Sequence, residues 1–305
     1  MTNYTMGSVY DRSRFDVDKE IVPANPFFKA YDNEVLVYEE REKNSSFFNI
    51  TRALEQGLIT PLDKTIISIV ATFGSCCITK RALTELLTLL GVDYNTNRLE
   101  SSVIRLHRYQ LINIAHFKKE NEEPAPARII ILTNYGSQLA KSLGIIHRFN
   151  PINTAAMTPA IAKSRCQTTQ LIVNYLKNMS VDSFKVRPVI VKNPDEGAIV
   201  RPAASILVNG EYIDFEVPRR SEDWQENIAD KLNRYKLCFE ENSLPAIVIN
   251  GEDEEMNREI HEFLKEKGID MDILYTDDLA MFGPNFKYSL YTFSEEGDKL
   301  HFEFV

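Results

Sequence analysis

The sequence predicts an α+β protein of two domains, a helical N-terminal domain followed by an α/β domain with a mixed sheet. Between residues 46 and 108, apolar residues recur at helical spacing in successive segments, and two apolar strand-like runs follow. From residue 181 onward, short apolar runs alternate with amphipathic segments, which is typical of strands and helices in an α/β domain. A chain of 305 residues is long enough for both domains.

The first domain is predicted to span residues 46–150, after an N-terminal arm at residues 1–45 that includes one strand. A short helix ends at Gly57, with Ser45 or Ser46 as its N-cap. The next helix opens at Pro61, which a first helical turn tolerates. A further helix has Thr79 as its N-cap, because a hydroxyl at that position accepts a hydrogen bond from a free backbone N–H.

The last helix of this domain, in "NTNRLESSVIRLHRYQ", has two contrasting faces. Leu99, Val103 and Leu106 form its apolar stripe. Two strands around a charged tip follow, and Lys118 and Lys119 near that tip are candidates for phosphate contact. The candidate DNA-binding residues on the opposite, polar and basic face of the helix are Asn97, Arg98, Ser101, Ser102, Arg105 and Arg108.

Three helices followed by a β-hairpin is the order of a winged helix-turn-helix domain, whose third helix enters the major groove of DNA. Double-stranded DNA is therefore the predicted partner. The alternative is a module that contacts protein, with the arginines of the helix forming a solvated face. Close phosphate contact by the hairpin is opposed by the acids at its tip, which are Glu120, Glu122 and Glu123.

The net charge of −9 is unevenly distributed along the chain. Residues 51–194 contain 18 Lys and Arg against 9 Asp and Glu, a balance of +9. Residues 195–305 contain 11 against 26, a balance of −15, and residues 1–50 contain 6 against 9. This segregation indicates that the first domain is the one that faces a polyanion.

The second domain is predicted at residues 158–305, after a linker in the proline-bearing segment "NPINTAAMTPA" at 150–160. Its pattern reads helix, three strands, helix, strand, helix, strand, with a terminal hairpin. Asn209-Gly210 predicts a two-residue turn between the second and third of the three strands. Ser221 is the predicted cap of the helix that follows them.

This order resembles the core of the PD-(D/E)XK nuclease superfamily, the restriction-endonuclease-like fold. An N-terminal winged helix combined with "RPAASILVNGEYIDFEVPRR" at 201–220 and "KLNRYKLCF" at 231–239 resembles the replication-relaxation family of bacterial plasmids and integrative elements. The resemblance covers most of residues 60–280. It implies a DNA-binding accessory protein that serves replication, relaxation or transfer of a mobile element.

The superfamily's chemistry requires a carboxylate on one strand and, on the next, a carboxylate followed two residues later by lysine. Here Ala203 stands at the first position, Glu216 at the second and Pro218 in place of the lysine. One inward carboxylate holds Mg²⁺ poorly. The resemblance therefore implies a degenerate, catalytically inactive nuclease-like domain, and no catalytic residue or metal ligand is assigned.

The alternative from another functional class is a Mg²⁺-dependent endonuclease. Asp214 lies two residues before Glu216, so both face the same side of a strand. In that alternative these two acids hold the metal and Lys231 is a further weak catalytic candidate. The competing interpretation leaves both acids facing a residual cleft or solvent, with Tyr235 in the core and the basic residues of its helix in water.

No cofactor is expected unless the endonuclease alternative holds, in which case it is Mg²⁺. The polar first twenty residues lack the apolar core of a signal peptide, and no apolar run reaches the length of a membrane span. We therefore expect a cytoplasmic protein without membrane contact, with four buried thiols. Proteins of the element's replication or transfer machinery and a second copy of this chain are further candidate partners.

Overall fold

A computed structural model describes residues 29, 33–40, 50–74, 76–125, 127–145, 157–191, 199–239, 244–282 and 286–302. The chain divides into two compact units, of which the first is Tyr31–Val173 and the second contains Asn174–Val305. The α+β class and the mixed sheet expected from the sequence are confirmed. None of the described helices combines the length and apolarity that crossing a membrane requires.

The first unit consists of helices and one small antiparallel sheet. The sheet has the strand order β1-β3-β4-β2, so β1 covers the outer edge of β3. Strand β2 was not expected from the sequence, since it is only three residues long. The elements are β1 (Glu34–Tyr38), α1 (Ile50–Glu55), α2 (Pro61–Thr72), β2 (Cys77–Thr79), α3 (Lys80–Leu89), α4 (Thr96–Arg108), β3 (Ile112–Lys119), β4 (Ile129–Leu132) and α5 (Asn134–Ser142).

Side-chain caps explain where these helices begin, and the cap at Thr79 is the one expected from the sequence. Thr79 is extended and its side chain accepts a hydrogen bond from the backbone N–H of Ala82, which starts α3. Thr60 and Asp63 form a reciprocal capping box at the start of α2. The Asn95 side chain accepts a hydrogen bond from the backbone N–H of Arg98, which starts α4. The predicted caps Ser45 and Ser46 of α1 lie outside the described residues.

The boundary between the units differs from the one expected from the sequence. It lies between Val173 and Asn174, inside helix α6 (Pro159–Asn178), rather than at residues 150–158. The reason is that the N-terminal part of α6 is bonded within the first unit: the Lys163 ammonium pairs with Glu34 Oε2, and the Thr169 hydroxyl donates to the Phe73 carbonyl over 3.1 Å. Residues 150–156 of the predicted linker lie outside the described residues.

The second unit is built on a seven-stranded mixed sheet in the order β13-β12-β11-β10-β9-β8-β5. Strands β9, β10 and β11 are parallel, and the remaining pairs are antiparallel. Strands β6 and β7 form a separate two-stranded sheet. The elements after α6 are β5 (Ser183–Val186), β6 (Ile190–Val191), β7 (Ile199–Val200), β8 (Ala204–Val208), β9 (Glu211–Glu216), α7 (Trp224–Cys238), β10 (Ala246–Gly251), α8 (Glu254–Glu266), β11 (Ile273–Asp277), α9 (Asp278–Phe282), β12 (Leu290–Phe293) and β13 (Lys299–Phe302).

Two local expectations for this unit were wrong. The segments predicted as single strands on either side of residues 192–198 are each broken in two, because Pro188 and Pro202 lack the N–H that a ladder needs. Ser221 does not cap α7; the N-cap is Asp223, in a left-handed conformation with φ 55° and no side-chain capping bond. The Asn209-Gly210 turn is confirmed, with φ of 51° and 79° as a type I′ turn requires.

The two faces of β9 pack against different helices. Phe215 meets the Tyr175 ring of α6 edge-on, with ring centroids 5.1 Å apart. Asp214 and Glu216, of opposite parity, face α7. The apolar core on the α7 side includes Leu232, Tyr235, Ile247, Ile249, Ile260 and Tyr275. The register of β9 therefore places two acids at the margin of an apolar layer.

We expect Arg105→Ala to lower the free energy of unfolding by about 2–3 kcal/mol. The Arg105 guanidinium donates from Nε to Asp63 Oδ2 and from Nη2 to Asp63 Oδ1, each over 2.9 Å. Asp63 is 0% exposed, so the substitution leaves a buried carboxylate without its cation. Arg98→Ala on the same helix is the matched control, expected to change stability by less than about 0.5 kcal/mol. Equal urea-denaturation midpoints for both variants would contradict this assignment.

Candidate functional site

The outward face of α4 is polar, basic and exposed. Asn97, Ser101, Ile104 and Arg108 are exposed at spacings of four, three and four residues, so they share one face of the helix. Arg98 flanks them with 57% of its side chain exposed, and its Nη1 lies 3.5 Å from the fully exposed carboxylate of Asp93. A surface ion pair of that kind is weak and exchanges readily for another anion. The face therefore offers two arginines and two short polar side chains.

Two residues predicted for this face are not on it. Ser102 is buried, and its hydroxyl accepts a hydrogen bond from Arg105 Nη2 over 3.1 Å. Arg105 is turned toward the start of α2, where it pairs with Asp63. Arg98 and Arg105, seven positions apart, lie close to one line along the helix. Arg105 is turned inward because its guanidinium pairs with the buried carboxylate of Asp63.

The two lysines predicted near the hairpin tip lie within β3 instead. Lys118 and Lys119 are half-buried, opposite Val35 and Glu34 of β1 in the sheet register. The arm that supplies β1 was not expected to pair here. Their side chains are consequently less available for phosphate than those of residues at the tip.

The two acids of β9 are both buried beneath α7. Asp214 is 1% exposed and Glu216 is 2% exposed, so neither faces open solvent as the competing interpretation allowed, whereas Asp214 lines a cavity. The prediction that they share one face of the strand is confirmed. Because both carboxyls are buried, the hydrogen-bond partners of each determine whether its oxygens can bind another group.

Glu216 has partners for both of its oxygens. Its Oε2 pairs with the ammonium of Lys231, and its Oε1 accepts the hydroxyl hydrogen of Tyr235 over 3.1 Å. Burial raises the pKa of Glu216, and the nearby Lys231 opposes that rise. The interpretation of the sequence that places Lys231 in solvent is wrong, because its ammonium group pairs with the buried Glu216. Leu232 and Tyr235 lie in the core as that interpretation expected.

Asp214 is only partly satisfied. Its Oδ1 accepts a hydrogen bond from the Ser205 hydroxyl, while its buried Oδ2 has no hydrogen bond within the described part of the chain. The Tyr235 hydroxyl lies near both acids, but its one hydrogen is donated to Glu216. Burial raises the pKa of Asp214 from 3.8 to about 6, against the hydrogen bond from Ser205.

The arginines that follow β9 do not contact these acids. The guanidinium of Arg219 donates from Nη2 to both oxygens of Asp278, over 2.8 and 3.0 Å. Arg220 pairs with Glu252, Asp253 and Glu259. Among the residues that the structure describes, no group of three or more His, Cys, Asp or Glu side chains is arranged to hold a metal ion.

Sequence reasoning missed Ser205, although the sequence contains a signal for it. A two-residue turn at Asn209-Gly210 pairs Val208 with Glu211, and counting outward from that pair places Ser205 opposite Asp214. The contact between Lys231 and Glu216 has no comparable signal in the sequence. Helical spacing puts Lys231 and Tyr235 on one face but does not say which strand that face covers.

Comparisons with known proteins add little. No family model matches the sequence, and no curated protein matches it. Among solved structures, the crystal structure of protein VC1899 from Vibrio cholerae is similar over 79% of this chain and 55% of its own, with 10% identity and a TM-score of 0.27. A similarity that low carries no argument about fold or function.

We expect Asp214→Asn to stabilise the protein at neutral pH relative to the unsubstituted chain. Because the folded pKa of about 6 lies above the ordinary 3.8, the carboxyl favours folding below about pH 4 and loses that contribution as the pH rises through about 6. Asparagine does not titrate. The difference in unfolding free energy should therefore grow over that window to at most about 3 kcal/mol, then level off.

Urea denaturation at a series of pH values measures this difference. Glu211→Gln, an exposed carboxyl on the same strand, is the matched control and should show no such growth. A difference for Asp214→Asn that stays constant with pH would show that the carboxyl titrates normally in the folded protein.

Proposed function

We propose that the protein is a DNA-binding accessory protein of a bacterial plasmid or mobile element, with a catalytically inactive nuclease-like domain. The observation that carries this proposal is the exposed face of α4, which presents Arg98 and Arg108 beside Asn97 and Ser101. The order α2, α3, α4, β3, β4 supports a winged helix-turn-helix interpretation, in which such a helix enters the major groove. The balance of +9 over residues 51–194 favours a polyanionic partner.

Each exposed group on α4 has a chemical counterpart in the major groove. Arginines bind phosphates or guanine edges, asparagine binds adenine, and short hydroxyl side chains let the backbone approach closely. Ile104, 47% exposed at the centre of this face, suits apolar contact with a thymine methyl group. An exposed face that mixes these groups is better matched to DNA than a uniformly charged surface is.

The second unit supports the inactive part of the proposal. Its strand order, with β5, β8 and β9 antiparallel and β10 parallel to β9, supports the nuclease-like interpretation. Ala203 and Pro218 stand where the superfamily has a carboxylate and a lysine. Each oxygen of Glu216 already has a partner on α7, and these partners compete with a metal for the carboxylate.

One observation favours the endonuclease alternative. Lys231 brings an ammonium group to the acids of β9 from α7, which is the type of group that Pro218 cannot supply. In that alternative Asp214 and Glu216 hold Mg²⁺ once Lys231 has moved to the attacking water.

DNA binding is tested by fluorescence anisotropy with a labelled duplex over a range of salt concentrations. We expect Arg98→Ala and Arg108→Ala each to weaken binding, and each to reduce the slope of log affinity against log salt by about 1 if the arginine contacts a phosphate. Arg234→Ala removes one exposed charge from α7 in the second unit and should change neither quantity. Absence of binding at low salt, or equal losses in all three variants, would overturn the proposed role of α4.

Nuclease activity is tested by incubating the pure protein with supercoiled plasmid and Mg²⁺ or Mn²⁺. We expect no conversion to nicked or linear DNA above a metal-free control. Cleavage that Glu216→Ala abolishes would replace the proposed function by the endonuclease alternative. Because Glu216→Ala also removes a buried ion pair, Lys231→Arg, which keeps the charge but alters the geometry, is measured beside it.

A further inference from the structure

A cavity of about 480 Å³ lies beside Asp214 in the second unit. That volume is within the range of small-molecule sites. The polar residues that line it are Lys185, Ser205, Glu211 and Asp214. Its lining is otherwise apolar and includes Val189, Ile190, Tyr212, Phe239, Leu244 and Pro245. A largely apolar chamber with a few polar groups is the usual composition of a ligand site.

The aromatic residues of this lining favour a flat ligand. Tyr212 and Phe239 contribute aromatic rings, and proline side chains add further rigid apolar surface. Aromatic rings prefer edge-on or offset-stacked contacts with another ring. The Lys185 ammonium lies 5.6 Å from the centroid of the Tyr212 ring, so the same ring already attracts a cation.

A ligand in this cavity should offer a hydrogen-bond donor to Asp214. Its Oδ1 is engaged by Ser205, whereas the buried Oδ2 has no hydrogen bond among the described residues. A buried acceptor without a donor costs free energy, which a bound donor would return. Glu216 nearby makes no comparable demand, because Lys231 and Tyr235 already satisfy it.

The charge of the lining favours a cationic donor over a neutral one. The cavity is lined by two carboxyl side chains, Asp214 and Glu211, and by one amine, Lys185. A hydrogen bond from a charged donor to a carboxylate is roughly twice as strong as one between neutral groups. An anionic ligand would instead meet two carboxyls and gain a single cation.

We propose that this cavity binds a small, flat aromatic ligand carrying a cationic N–H donor, an arylamidine or a protonated heteroaromatic amine. The donor bonds to Asp214 Oδ2 after a small adjustment of the buried side chain, and the ring lies against Tyr212 and Phe239. This site is separate from the proposed DNA-binding face of α4 and does not rest on it.

Three probes of nearly equal size and shape test the proposal by isothermal titration calorimetry on the full chain. They are benzamidine, benzamide and benzoate, which differ mainly in charge. We expect benzamidine to bind most tightly, benzamide about tenfold more weakly and benzoate more weakly still. No binding of benzamidine, or equal affinity for all three, overturns the proposal.

Two variants locate the site and one serves as the control. Asp214→Asn should weaken benzamidine about tenfold and bring it level with benzamide, since the charge-assisted bond is lost. Val189→Phe should weaken all probes by filling the cavity, and it tests the location of the site without a change at Asp214. Glu226→Gln, an exposed carboxyl of α7 outside the lining, should change the affinity less than about threefold. An equal loss in Glu226→Gln and Asp214→Asn would attribute binding to general charge and overturn the role of Asp214.

Discussion

The ion pair between Lys231 of α7 and Glu216 of β9 is the interaction on which the α7 face of the second unit depends. Glu216 is buried, and a buried carboxylate without a cation would destabilise the fold by several kcal/mol. Lys231 can reach it only if α7 lies across β9, which also places the Tyr235 hydroxyl on the second oxygen. The pair therefore has two effects. It holds α7 against β9, and it determines which partners the oxygens of Glu216 have.

In the first unit, too, a buried carboxylate requires a cation. This requirement gives Arg98 and Arg105 of α4 different roles. Arg105 neutralises the fully buried Asp63, which also belongs to the capping box of α2. Arg98, one heptad earlier, pairs with an exposed aspartate and stays in water. Arg98 and Arg105 are the same type of residue and lie close to one line along α4. Only the position of the buried Asp63 determines that Arg105 stabilises the fold and that Arg98 is available to a ligand.

The sequence was sufficient for features that depend on neighbouring residues. The cap at Thr79, the helix that opens at Pro61 and the Asn209-Gly210 turn were predicted from local chemistry, and they agree with the structure. The sequence was insufficient for features that depend on contacts between distant elements. Two examples are the ion pair between Lys231 and Glu216 and the division of the chain inside α6. Pro188 and Pro202 are visible in the sequence. Whether each breaks a strand depends on which neighbouring strand would need the missing N–H, and the sequence does not show that neighbour.

Asp214 and Glu216 differ in how fully their buried oxygens are bonded. Both acids occupy the same face of β9, two residues apart, yet α7 neutralises only the second. Asp214 keeps a raised pKa of about 6 and an oxygen without a donor, a state that disfavours folding at neutral pH. Asparagine would accept the same Ser205 hydroxyl without that cost. A carboxylate that is destabilising where it stands, and that lines a cavity of ligand size, is better explained by what it binds than by what it packs against.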